Sequence, residues 1–121
     1  MYQLIAKWTI LPGKKDEAFA AIKQLAAQVK EKEPDTLVYI PQTTDYAQMN
    51  LPLPYDGEIV FFECYKDKDA FLAHLNGEVF TGFVKQYGHL FLSGNDGSSF
   101  VLVQTLTSLN GFIRTEAATA G

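Results

Sequence analysis

The sequence predicts an α+β domain with element order β-α-β-β-α-β, and three observations carry that reading. β-prone runs stand at Tyr2–Leu11, Thr36–Gln42, Glu58–Lys66 and Phe100–Leu106. A long stretch with helical spacing, Lys14–Glu31, separates the first two, and a broken helical stretch, Asp67–Gly88, separates the last two. The junction Glu58-Ile-Val-Phe-Phe-Glu-Cys-Tyr-Lys-Asp67 passes abruptly from strand to helix start. Two strand–helix–strand halves in this order form the ferredoxin-like split arrangement, an antiparallel four-stranded sheet with its helices on one face.

The first strand alternates and stops at Pro12-Gly13. In the helix that follows, Ala18, Ile22, Leu25 and Val29 form a stripe widened by Phe19 and Ala26. Asp16 and Glu17 in its first turn and Lys30 and Lys32 near its end suit the helix dipole. Glu33-Pro34-Asp35 breaks it, and the second strand begins at Thr36. The stretch Thr43–Gly57, with Tyr46, Pro52, Pro54 and Tyr55, is longer than an ordinary hairpin loop and is expected to border the mouth of a pocket. Asp67 is placed to cap the next helix, within which Phe71, His74 and Leu75 fall at i, i+3 and i+4. Asn76-Gly77 interrupts, and Glu78–Gly88 resumes as helix with Phe80, Val84 and Tyr87 on one side. Phe91–Ser99 is a Gly- and Ser-rich turn region before the fourth strand, and Thr115–Gly121 is expected to fray.

Helices on one face leave the other face of the sheet to water, which calls for strict apolar–polar alternation. The third strand does not alternate: Ile59 and Phe61 point one way, Val60 and Phe62 the other. Phe100-Val-Leu-Val103 has the same two-sided character. A second copy packed sheet to sheet is the simplest cover, so a homodimer is expected, with Phe112-Ile-Arg114 as a candidate cross-subunit strand.

Glu63-x-Tyr65-x-Asp67-x-x-Ala70-Phe71-x-x-His74 resembles the antibiotic-biosynthesis-monooxygenase (ABM) family of the dimeric α+β-barrel superfamily. Ile5-Ala-Lys-Trp-Thr-Ile-Leu-Pro-Gly-Lys14 is similar to that family's first strand and turn, and Glu33-Pro34 with Leu37-Val-Tyr39 to its entry into strand two. The resemblance runs from about Tyr2 to Leu106. It divides the chain into an ABM-like domain over 1–108 and a C-terminal extension over 109–121, and it implies a dimeric barrel. Against that pattern Thr43–Gly57 looks like an insertion.

The 121 residues, 47% hydrophobic and 20% charged, fit one globular domain. Nine Phe and six Tyr favour an aromatic-lined core or pocket. A net charge of −4 without a basic stripe argues against a nucleic-acid partner. No apolar run is long enough to cross a bilayer, and the N-terminus has no secretory pattern. The lone Cys64 fits a reducing compartment, so the expected location is cytoplasmic. Only His74 and His89 are present and neither sits in a metal-ligand spacing; phosphate loops and a nucleophile elbow are absent too, so no cofactor or metal is expected.

His74 leads the candidate catalytic residues because imidazole exchanges protons near neutral pH; the alternative is a core-edge histidine bonded to a backbone carbonyl. The resemblance adds weight, since a His recurs at this helical position. Tyr65 either donates to a phenolate or carbonyl oxygen, or packs with its hydroxyl at the rim. Glu63 in an apolar strand must be paired or protonated, which leaves a salt bridge to Lys7 or Arg114, or acid/base work. Trp8, Tyr39, Phe61 and Phe80 are candidate walls for a small aromatic ligand. The family resemblance implies cofactor-independent oxidation of a quinol or related aromatic by dioxygen. Two alternatives stand beside it. One is a non-catalytic dimeric ligand-binding or stress-response protein. The other is a haem-degrading monooxygenase, whose pattern wants an Asn on strand one and a Trp near the end of strand three, where this chain has Gln3, Lys7 and Trp8, and Tyr65.

Overall fold

The computed structural model describes residues 1–96 and 101–114. β1 (Tyr2–Thr9), α1 (Lys15–Lys32), β2 (Thr36–Thr43), β3 (Glu58–Tyr65), α2 (Lys68–Asn76), α3 (Glu78–Tyr87) and β4 (Val101–Leu106) follow in that order, with one 3-10 turn at Gly88–Leu90. The strands form an antiparallel sheet in the order β2-β3-β1-β4, the ferredoxin-like arrangement. The two most apolar strands, β1 and β3, thereby take the centre. Register sets Leu4 opposite Glu63, Ala6 opposite Phe61 and Trp8 opposite Ile59, and Tyr39 flanks Glu63 from β2. Tyr39, Glu63 and Leu4 thus form one row on the helix-covered face.

The α1 stripe is buried as its spacing predicts, with Ala21 added to Ala18, Ile22, Leu25 and Val29. Each of the larger side chains contributes about 1.5–3 kcal/mol by leaving water. The helix ends where the Glu33 N–H bonds Val29 O at 2.9 Å and Pro34 follows. Asp67 caps α2 as expected, its Oδ1 accepting from Ala70 N at 2.8 Å. His74 is the one fully buried residue of that helix.

One expectation is corrected, the turn region beginning at Phe91. α3 buries Val79 and Phe83, and Phe80, Val84 and Tyr87 pack against the core beside them. The start of the Gly- and Ser-rich region belongs to the core: Leu90 and Phe91 are buried, with Leu11 N bonding Leu90 O at 2.9 Å and Leu92 N bonding Thr9 O at 2.8 Å. Those bonds continue the β1 ladder and drive Phe91 against Trp8, ring centroids 5.0 Å apart. β4 is an edge strand that carries apolar side chains on both faces, with Leu102 and Val103 57% and 53% exposed in the single chain. Phe100, the predicted first residue of that strand, and the predicted fraying segment from Thr115 lie outside the described residues.

The sheet face away from the helices carries a contiguous apolar row, Ile40, Phe62 and Ile5, in direct register. Phe62 and Ile5 are half-buried and Ile40 is exposed. Residues 109–114 have no regular structure; Leu109, Phe112 and Ile113 are exposed, and Arg114 stands 4.8 Å over the Phe112 ring. Among the described residues no helix is long and apolar enough to cross a membrane.

Gly57 starts β3 with φ of 85°, and a Cβ there would stand 2.7 Å from Ile10 O. Gly13, with φ of 79°, has open space around it. Both substitutions to Ala incur the left-handed backbone cost of about 1 kcal/mol or more, but only Gly57→Ala adds a backbone clash. Urea unfolding should show Gly57→Ala losing at least about 1 kcal/mol more than Gly13→Ala; equal losses would mean the Ile10 contact imposes nothing.

A candidate active site between the sheet and the second helical pair

α2 and α3 lie over the row Tyr39–Glu63–Leu4 and leave a cavity of about 80 Å³ beside it. Its walls combine Trp8, Phe71, Phe80 and Val101 with three groups that bear chemistry: Tyr39, Glu63 and His74. Strand parity explains the first two, because Tyr39 and Glu63 are register partners on the helix side. Helical spacing explains the third, because His74 follows Phe71 by three residues on the inward face of α2.

The His74 ring is 3% exposed and sits within about one ring of three aromatics: centroids lie 5.3 Å from Tyr39, 5.6 Å from Tyr65 and 5.1 Å from Phe80. Its Nδ1 is 2.7 Å from Glu33 Oε1, at the C-terminal end of α1. The expected backbone-carbonyl partner is thus replaced by a carboxylate. A carboxylate only accepts when ionised, so Nδ1 carries the hydrogen. The bond to Glu33 is the one hydrogen bond of the ring among the described residues.

Glu63 is 5% exposed, and Tyr65, fully buried, donates its hydroxyl to Glu63 Oε1 at 2.5 Å. This overturns the salt bridge expected for Glu63: Lys7 pairs with Glu58 at 3.6 Å instead, because Lys7 and Glu58 lie on the opposite face of the sheet, and Arg114 stands over Phe112. It also overturns a rim position for the Tyr65 hydroxyl. Burial is the main force raising the Glu63 carboxyl to about 7, with Glu33 adding to the rise and the Tyr65 hydrogen bond opposing it. Burial and then the Glu63 charge push the Tyr65 hydroxyl far up, and burial followed by Glu63 and Glu33 pushes Tyr39 up. Both phenols therefore remain protonated donors at neutral pH.

Trp8, Tyr39 and Phe80 line the cavity as predicted; Phe61 stands behind it, its ring 5.5 Å from Tyr39 and 6.5 Å from Trp8. The stretch 43–57 does not border this cavity. Tyr55, Asp56 and Gly57 instead line a larger one of about 640 Å³, with Lys7, Ile10 and Leu102, at the far end of the sheet. The loop departs from the β3 end opposite Glu63 and Tyr65, which carries it away from His74. Sequence reasoning missed Glu33 as a site residue. The available signal was a carboxylate immediately before the helix-ending Pro34, but its pairing with a His 41 residues on is set only by packing. Among the described residues no group of three or more His, Cys, Asp and Glu is arranged to hold a metal.

The sequence pattern of the family described as antibiotic biosynthesis monooxygenase (ABM) matches residues 1–86. The chain belongs to this family. Solved structures agree on the fold. A Caulobacter crescentus protein provisionally designated an antibiotic biosynthesis monooxygenase is 21% identical, covers 90% of each chain and superimposes with a TM-score of 0.72. Rv0793 from Mycobacterium tuberculosis is 19% identical over 91% of this chain and 96% of its own, with a TM-score of 0.68. PA3566 from Pseudomonas aeruginosa is 21% identical over 90% and 94%, also at 0.68. No curated protein matches the chain.

The raised Glu63 carboxyl has a consequence for stability. Folding shifts it from the ordinary 4.5 to about 7, so between those values the folded state holds a proton that the unfolded chain releases. Its contribution is fully present below 4.5, declines as pH rises, and is gone above about 7. The loss amounts to about 3 kcal/mol over that window. Thermal melts should show the wild type losing stability from pH 5 to 8 relative to Glu63→Gln, which keeps an acceptor for Tyr65 and cannot ionise. Parallel pH profiles for the two proteins would place the Glu63 proton elsewhere.

Proposed function

We propose that the protein is a cofactor-independent monooxygenase acting on a small quinol-type or related aromatic substrate with dioxygen. Membership of the ABM family supports a monooxygenase-type function. The observation that carries the finer reading is His74: a buried imidazole with Nδ1 committed to a carboxylate, in a ring that lines an apolar cavity. That is the arrangement of a base aimed at a bound hydroxyl.

In the proposed reaction Nε2 takes the phenolic proton, and the resulting phenolate is electron-rich enough to reduce dioxygen directly. One electron passes to dioxygen, and the radical pair recombines to form a carbon–oxygen bond and a peroxide. The imidazolium returns its proton to the outer peroxide oxygen, the O–O bond breaks, and water leaves. One oxygen atom remains on the ring as a carbonyl; the phenolic hydrogen and the hydrogen of the attacked carbon depart in the water. The substrate supplies all the electrons. Tyr39 and the protonated Glu63 serve as donors to the anionic oxygens, in a dry enclosure where such bonds are strong.

The cavity of about 80 Å³ opens toward the β4 edge, where the lining residue Val103 is 53% exposed, and this edge is the proposed route for substrate.

The same proposal includes a homodimer joined through the sheet face away from the helices. The support is the Ile40–Phe62–Ile5 row with half-exposed Leu102 beside it, an apolar surface that water covers poorly. Phe62→Asp should shift sedimentation from dimer toward monomer at micromolar concentration. A monomeric wild type at that concentration rejects the assembly.

His74→Ala should lower oxygen uptake with hydroquinones by about a hundredfold or more while the fold survives. Wild-type turnover in this variant would remove His74 from the chemistry. A wild type that binds a hydroquinone but consumes no oxygen would favour the ligand-binding alternative.

A further inference from the structure

We infer that Glu33 is a positioning residue of this site, fixing the tautomer of His74 and balancing its charge when it takes a proton; the inference rests on the proposed role of His74 as base. The geometry carries it. Glu33 Oε1 lies 2.7 Å from His74 Nδ1, and Thr36 Oγ1 donates to the same carboxylate oxygen at 3.4 Å. Glu33 itself follows the last turn of α1, where the N–H bond to Val29 O and Pro34 fix its backbone. The carboxylate is therefore held by one element and aims at a ring held by another.

His74 forms a partition between two spaces. On one side is the apolar cavity with Glu63 and Tyr39; on the other is an outer cleft of about 210 Å³ lined by Lys32, Glu33, Pro34, Asp35, Thr36 and Ala70. Glu33 stands on the cleft side, with its side chain 18% exposed, and keeps some water. Glu63, on the cavity side, has an oxygen occupied by the Tyr65 hydroxyl. The two carboxylates thus divide the work. Glu33 stays outside the cavity and orients the ring, while Glu63 faces the cavity contents.

The consequence is chemical. Free histidine prefers its hydrogen on Nε2, which would aim a donor at the cavity and leave no lone pair for a substrate proton. An acceptor at Nδ1 reverses that preference and turns the Nε2 lone pair inward. When Nε2 takes the phenolic proton, the imidazolium forms beside a fixed anion, and its proton remains available for return to the peroxide. This is how a buried carboxylate serves a histidine base without reacting itself.

The experiment pairs a spectroscopic reading with kinetics on the full chain. In ¹⁵N-labelled protein at a pH where the ring is neutral, long-range ¹H–¹⁵N spectra should show His74 as the Nδ1–H tautomer. Glu33→Ala should convert it largely to Nε2–H, and Glu33→Gln, whose amide oxygen still accepts from Nδ1, should retain the Nδ1–H form. Oxygen uptake with 1,4-hydroquinone and naphthalene-1,4-diol should fall about tenfold to a hundredfold in kcat for Glu33→Ala, with KM within about twofold, and less for Glu33→Gln. If Glu33→Ala does not fold, an Nε2–H tautomer in the wild type or in Glu33→Gln overturns the inference by itself. A folded Glu33→Ala with the wild-type tautomer and kcat reduces Glu33 to an end for α1. Failure of the oxygenase reading shows separately, as a wild type with the Nδ1–H tautomer that consumes no oxygen with either diol.

Discussion

A carboxyl group sits within the central strand pair, under α2 and α3, and the site is organised around keeping it there. Taking Glu63 out of water costs several kcal/mol if it stays charged and unpaired. The chain meets that cost in two ways. Tyr65, two residues along the same strand face, donates a short hydrogen bond to it, and burial raises its pKa to about 7 so that the neutral form is populated. Both follow from strand geometry: i and i+2 share a face, and that face is the one the helices close.

The second polar unit, Glu33 and His74, joins the end of α1 to the last turn of α2 and commits one nitrogen of the imidazole. Around these groups the aromatic side chains of Trp8, Tyr39, Phe71 and Phe80 exclude water. Burial of these groups strengthens each remaining electrostatic contact.

The pocket lies between the sheet and the helices of the chain. The opposite sheet face, with Ile5, Ile40 and Phe62, is free of any part in the site. The 43–57 stretch lines a different cavity, through Tyr55, Asp56 and Gly57.

Much of this was legible in the residues. Period-2 and period-3.6 patterns with Pro-Gly, Glu-Pro and Asn-Gly breaks placed the elements to within a residue or two, and the Asp67 cap with Phe71, His74 and Leu75 behind it set the imidazole on the inward face of α2. Local periodicity determines which way a side chain points, so Trp8, Tyr39, Glu63 and Phe80 were found as a group. Partners were another matter. Glu63 was matched to Lys7 or Arg114 by charge, but Lys7 points to the opposite face and a neutral phenol took the place. The end of α3 was read from spacing alone, without the 3-10 turn that folds Phe91 into the core. Glu33 looked like a helix stop, and only the packing of α2 against the end of α1 brought it to His74. The sequence by itself determined the elements, their order and the inward-facing residues, because these depend on local backbone sterics and hydrophobic period. Which distant polar groups bond each other was decided by the tertiary structure, because a hydrogen bond tolerates only a few tenths of an ångström of displacement, and packing alone sets that separation for residues far apart in the chain.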